Sequence, residues 1–184
     1  SYFTILSNLI GATLLLVGAA RWRAPRSPRS ARSARMDLLR GGAVVYLSVT
    51  FIVFALLLSN TDVDLAIPWV NSVLHEIIPV VILMDWLMDP PTVRLTRRQG
   101  LLWLSFPAAW IVYVLIRGAI VGKYPYPFLD VGAEGVGAVA VTCAAVTVVF
   151  VALASGLSAL DRRMPSAPVR EAAPDSGRSP ATAE

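Results

Sequence analysis

Apolar residues run through this chain in long unbroken blocks instead of alternating with polar ones. Residues 2–20, 41–59, 100–116 and 135–160 carry no charge, and 65–84 is apolar apart from His75 and Glu76. A helix rises about 1.5 Å per residue, so blocks of this length span a hydrocarbon layer of roughly 30 Å. Membrane strands need only about 10 residues and alternate in polarity, so the continuous runs argue against a barrel. The pattern predicts an all-α, polytopic transmembrane helical bundle with five spans, at about 2–20, 41–59, 65–86, 100–121 and 135–160. Residues 1–164 make up that bundle, with a basic loop at 21–40, and the Pro-, Ala- and Ser-rich stretch 165–184 reads as a disordered tail.

Composition sharpens this picture by exclusion. With 56% hydrophobic residues, 15% charged residues and a mean hydropathy of +0.65, the chain is too apolar for an ordinary soluble domain. The net charge of +4 would suggest a nucleic-acid partner only if the basic residues shared a folded face. Seven of the arginines lie instead within 21–40, so the expected partners are membrane lipids and not nucleic acid. One cysteine, Cys143, and one histidine, His75, exclude an intrachain disulfide, a cysteine-built zinc or iron–sulfur site and a multi-histidine centre; no metal or other cofactor is predicted.

Charge along the loops sets an orientation, because cytoplasmic loops retain Lys and Arg. Fourteen of the sixteen basic residues fall in 21–40, 89–99 and the tail, leaving only Arg117 and Lys123 for the opposite connections. This predicts a multi-pass protein of the cell membrane with its visible N-terminus outside and its C-terminus in the cytoplasm. Ser1 opens almost directly onto apolar sequence with no initiator methionine, as expected of a chain trimmed from something longer, and 2–20 has neither the charged start nor the cleavage site of a signal peptide, so it reads as a true span.

Chemistry then has to come from polar groups at membrane depth. Only the third span holds ionisable residues away from its ends, where they are costly enough to need a reason. In IPWVNSVLHEIIPVVILMDW, residues 67–86, Asn71, His75 and Pro79 share one helical stripe, while Glu76 points roughly 100° away. Pro79 lacks an N–H, which frees the His75 carbonyl and predicts a kink. Asp85 falls at the inner boundary, where it can snorkel to water. In the first span, Thr4, Ser7 and Asn8 lie within one turn. Counted along their helices, Thr4 and His75 both fall in the outer half of the membrane, about one turn apart in depth. Three readings of His75 stand open on these residues: an interhelical hydrogen bond worth roughly 0.6–2 kcal/mol, a proton relay, or a catalytic base.

YFTILSN at the start, WVNSVLHEIIP with an acidic residue closing the same span, and YPYPFLD after the fourth span together resemble the androgen-induced family of polytopic membrane proteins, which includes the androgen-dependent TFPI-regulating proteins. The likeness covers roughly residues 2–160 and keeps the order of the motifs. Animal members are intramembrane threonine hydrolases acting on fatty acid esters of hydroxy fatty acids. The resemblance implies Thr4 as nucleophile and His75 as histidine partner on a separate helix; it also implies a sixth helix ahead of residue 1. Tyr126, Pro127, Phe128 and Leu129 match the family's Tyr-Pro-Phe-Leu segment.

On that reading, His75 serves as base for the Thr4 hydroxyl, a poor nucleophile by itself. Carbonyls near the Pro79 kink, Asn71, or an inward-folded Asp62 or Asp64 would steady the imidazolium, and Asn71, Asn8 or Tyr126 would donate to the oxyanion. The expected substrate is a lipid ester with long acyl chains. The competing reading is a non-catalytic bundle that binds lipid or relays protons through His75.

Overall fold

The computed structural model describes residues 2–23, 33–58, 68–91 and 96–163. Helix α1 (Phe3–Arg23) is followed by α2 (Ala34–Val53), which runs on into a π-helical turn at Phe54–Leu58. The third rod consists of α3 (Pro68–Ser72), a second π-turn at Val73–Ile77 and α4 (Ile78–Met88). Then come α5 (Arg97–Leu102), α6 (Ser105–Val121), a 3-10 turn at Pro127–Leu129 and α7 (Val131–Arg163). Five stretches are long and apolar enough to cross a membrane: Phe3–Arg21, Ala34–Leu57, Trp69–Met88, Arg98–Val121 and Val131–Arg163. The fold is an all-α helical bundle, with no strand among the described residues.

The second span starts earlier than its charge-free block. Ser33 caps α2 by accepting a hydrogen bond from the Met36 N–H at 3.3 Å, so residues 34–40 are helix and not loop. Arg40, expected in a solvated loop, is 7% exposed. Its guanidinium donates to the main-chain carbonyls of Asp85 and Asp89, at 3.2 and 2.9 Å, and to the Asp85 carboxylate at 2.6 Å. It thereby adds donors at the end of α4, where the Asp85 carbonyl also accepts from the Asp89 N–H at 3.0 Å. Asp85 is held in this ion pair as well as reaching water, which corrects its reading as a merely snorkelling group. Hydropathy ends a span at the first charge, but a charge paired across helices does not end it. The core of the expected basic loop (24–32), the tail (164–184), Asp62 and Asp64 lie outside the described residues.

At the fifth span the difference has another cause. Gly135 takes φ of 80°, a left-handed conformation that breaks the helix there, so the regular rod begins beside the expected residue 135. The preceding turn is held by Asp130, whose Oδ1 accepts from the N–H groups of Gly132 and Ala133 at 2.9 and 3.2 Å.

Helix α2 is the centre of the bundle. It packs against α1, α4 and α7, and Ala43, Val45 and Leu47 are all but fully buried along it. Outward, the bundle presents large apolar side chains such as Leu9, Leu56, Ile120, Val136 and Val141. Hydrocarbon surroundings permit this, because lipid tails are as apolar as leucine. Small residues let helices approach: the Trp103 indole lies against Gly41 and Gly42 and donates its N–H to the Leu38 carbonyl at 2.8 Å. A Cβ on Gly41 would run into that anchored ring. Gly41→Ala is therefore expected to destabilise the protein by about 1–3 kcal/mol, seen as a lower thermal midpoint in detergent; an unchanged midpoint would mean that the indole moves aside freely.

Candidate active site

Thr4 stands in the first turn of α1, His75 in the π-turn between α3 and α4, and Tyr126 just ahead of the Pro127–Leu129 turn. These three meet. The Thr4 Oγ1 lies 3.2 Å from His75 Nε2 and 3.2 Å from the Tyr126 hydroxyl, which also accepts from the Thr4 N–H at 3.4 Å. Thr4 and Tyr126 are buried, and His75 is half-buried. The depth difference of about one turn, counted along straight helices, closes to hydrogen-bond contact.

Local sequence explains how His75 is presented. Pro79 is the second residue of α4 and brings no N–H, so regular α-helical bonding cannot continue back through it. The chain responds by widening: the Ile78 N–H bonds to the Val73 carbonyl, five residues back. The kink expected at Pro79 is thus a π-turn that contains His75, a form of helix distortion common at functional sites. The facing helix widens too, at Phe54–Leu58, and Phe54 stacks on the imidazole with centroids 4.5 Å apart and planes 27° apart.

One hydrogen bond fixes the tautomer of the neutral ring. His75 Nδ1 is 3.1 Å from the Asn71 carbonyl, an acceptor only, so Nδ1 carries the proton and donates. Nε2 is left with its lone pair toward Thr4, and the threonine hydroxyl donates to it. The Tyr126 hydroxyl in turn donates to Thr4 Oγ1, which orders all the protons in one consistent chain. Burial pushes the Tyr126 phenol above its ordinary range, so it remains a protonated donor. Its ring is wedged by Phe128, stacked at 5.2 Å, and by Trp110 at 5.9 Å. Gly118 leaves the space in which the neighbouring Tyr124 ring lies against α6.

The other expected residues divide. Asn71 contributes its main-chain carbonyl to the imidazole. Asn8 does not point a free amide at the reacting centre: its Nδ2 donates to the carbonyls of Thr4 at 2.8 Å and Leu74 at 3.1 Å, so both donors are engaged. That corrects its expected part as an oxyanion donor. Glu76 is exposed on the outside of the bundle, as its angular offset implied. Phe54 was missed, since an aromatic residue in an apolar run gives no signal of what it stacks on.

Beside the three polar groups opens a cavity of about 220 Å³, with walls that are overwhelmingly apolar. Thr4, His75 and Tyr126 line it together with Ile111 from α6 and Val146 and Phe150 from α7. Cys143 is among its lining residues. Among the described residues, no group of three or more His, Cys, Asp and Glu is placed to hold a metal ion.

Fold and site together define a membrane-spanning helical protein that holds a hydroxyl–imidazole pair and a phenol against a greasy cavity. Comparison with known protein families, with curated proteins and with solved structures finds no match for the chain.

Proposed function

We propose that this protein is an intramembrane lipid-ester hydrolase, of the type that cleaves fatty acid esters of hydroxy fatty acids, with Thr4 as nucleophile and His75 as general base. The observation that carries the reading is the 3.2 Å contact from Thr4 Oγ1 to an Nε2 whose lone pair faces it, at the wall of an apolar cavity. A nucleophile bonded to a base that a third group orients is the arrangement covalent hydrolysis needs.

The reaction follows from these contacts. As Thr4 Oγ1 bonds to the ester carbonyl carbon, its proton passes to His75 Nε2. The new imidazolium is steadied by the Asn71 carbonyl, whose bond from Nδ1–H becomes charge-assisted. The Tyr126 hydroxyl, already on the attacking oxygen, turns its hydrogen bond to the developing oxyanion. Collapse breaks the ester C–O bond, and the departing alkoxide takes the proton from His75. Water then attacks the acyl-threonine and gives a proton to the same nitrogen; collapse breaks the acyl–Oγ1 bond, Thr4 Oγ1 takes that proton back from His75, and the acid is released.

The reading extends to family and orientation. The motifs at Thr4, His75 and Tyr126 that resemble the androgen-induced family are the ones whose side chains touch. We also place the Thr4 end of the bundle at the extracytoplasmic face of the cell membrane, on the Lys and Arg asymmetry of the loops. Thr4→Val, nearly isosteric and without the hydroxyl, is the direct test: the full chain in vesicles is expected to hydrolyse a long-chain ester, and the variant to have no activity above the vesicle background. Equal hydrolysis by both would remove Thr4 from the reaction.

A further inference from the structure

We propose that Asn8 is a positioning residue that sets the register of Thr4 against His75 by capping the Leu74 carbonyl. The inference rests on the hydrolase reading for its kinetic consequence, but its structural content is independent of it.

The π-turn creates the need. In an α-helix the Leu74 carbonyl would accept from the Ile78 N–H. Here that N–H goes to Val73, and the next residue, Pro79, has none to offer. The Leu74 carbonyl is therefore left without a donor from its own helix, one residue from His75 and facing α1.

Asn8 supplies the donor. Its Nδ2 bridges two helices, bonding the Thr4 carbonyl of its own helix at 2.8 Å and the Leu74 carbonyl at 3.1 Å. Both neighbours are carbonyl oxygens, so the nitrogen and not the oxygen of the amide must face them. The other amide atom, Oδ1, is buried with no partner, so the side chain is used only for its two donors. The same first turn is pinned by Ser7, whose hydroxyl reaches the carbonyls of Phe3 and Thr4 at 2.9 and 3.1 Å and meets Thr50 of α2 at 3.3 Å. Ser7 ties α1 to α2, and Asn8 ties it to the π-turn. A clamp one turn below the nucleophile and one residue from the base fixes both ends of the Thr4–His75 contact.

Because His75 is the chain's single histidine, its ring nitrogens give unambiguous signals in an ¹⁵N-labelled protein. The test compares the full chain with Asn8→Leu and Asn8→Ser, using Thr4→Val as the reference for a lost bond at Nε2. Serine can bond back to the Thr4 carbonyl as Ser7 bonds to that of Phe3, but it is too short to reach Leu74. Both Asn8 variants are expected to move the Nε2 signal toward that of Thr4→Val although the threonine is present. They are also expected to lower kcat about 100-fold with KM within about twofold, as for a misplaced reacting group. An Nε2 signal that stays at the wild-type position in Asn8→Ser would overturn the clamp, whether or not Asn8→Leu folds. If the wild-type chain cleaves no ester, the hydrolase reading falls and the ring signal alone decides the clamp. If it cleaves esters and the Asn8 variants keep the wild-type signal and kcat, the clamp falls and the hydrolase stands.

Discussion

Replacing His75 with alanine is expected to lower ester hydrolysis by about 10²–10⁴-fold, the usual contribution of a positioned general base. The informative partner to that variant is His75→Gln. Glutamine can still hydrogen-bond to Thr4 and hold the helices in register, but it cannot take the hydroxyl proton near neutral pH. If His75 serves only as an interhelical tie, glutamine should restore much of what alanine removes. If it serves as the base, the two variants should be about equally inactive while their helical content and thermal midpoints stay close to wild type. Glu76 gives no substitute, because it lies on the outer surface and is not among the cavity-lining residues.

Tyr126→Phe is the second large expected effect, a loss of about 10²–10³-fold in kcat with little change in KM, as when one oxyanion donor is removed. The ring keeps its stacking on Phe128, so the loop that carries it should hold its place. Only the hydroxyl, 3.2 Å from Thr4 Oγ1, is lost. The pH dependence follows from the direction of the phenol's shift. Tyr126 donates only while protonated, and burial raises the pH at which it ionises above the ordinary value of about 10. Hydrolysis should therefore show no downturn attributable to this phenol up to pH 10, whereas a downturn below pH 10 that disappears in Tyr126→Phe would contradict the donor assignment. On the acid side activity should fall as the His75 imidazole takes up a proton and ceases to be a base.

How much of this was legible in the sequence depends on which interactions are local. The five spans were, because charge-free blocks report directly on the cost of placing charge in hydrocarbon. The first and third spans' polar residues were also visible, since hydroxyl, amide and imidazole groups stand out in apolar runs. Pro79 announced a distortion, but not that it would widen into a π-turn holding His75. What stayed hidden were pairings between helices. Arg40 and Asp85 are 45 residues apart, and nothing local says that one completes the end of the other's helix. Asn8 looked like a donor free for chemistry because the carbonyl it caps is orphaned by a turn on another span. Phe54 carried no mark at all. Register between helices is set by long-range packing, and a single chain's pattern does not encode it position by position.

The proposed hydrolysis depends most on Thr4 Oγ1 being the atom that becomes acylated. The full chain, reconstituted in vesicles, can be treated with an alkyl fluorophosphonate, a probe that stays on the oxygen it labels, then digested and mapped by mass. The expected result is one adduct on Thr4, absent in Thr4→Val and formed about 10²–10⁴-fold more slowly in His75→Ala. An adduct on any other residue, or a fully folded chain that takes up no probe, would contradict it.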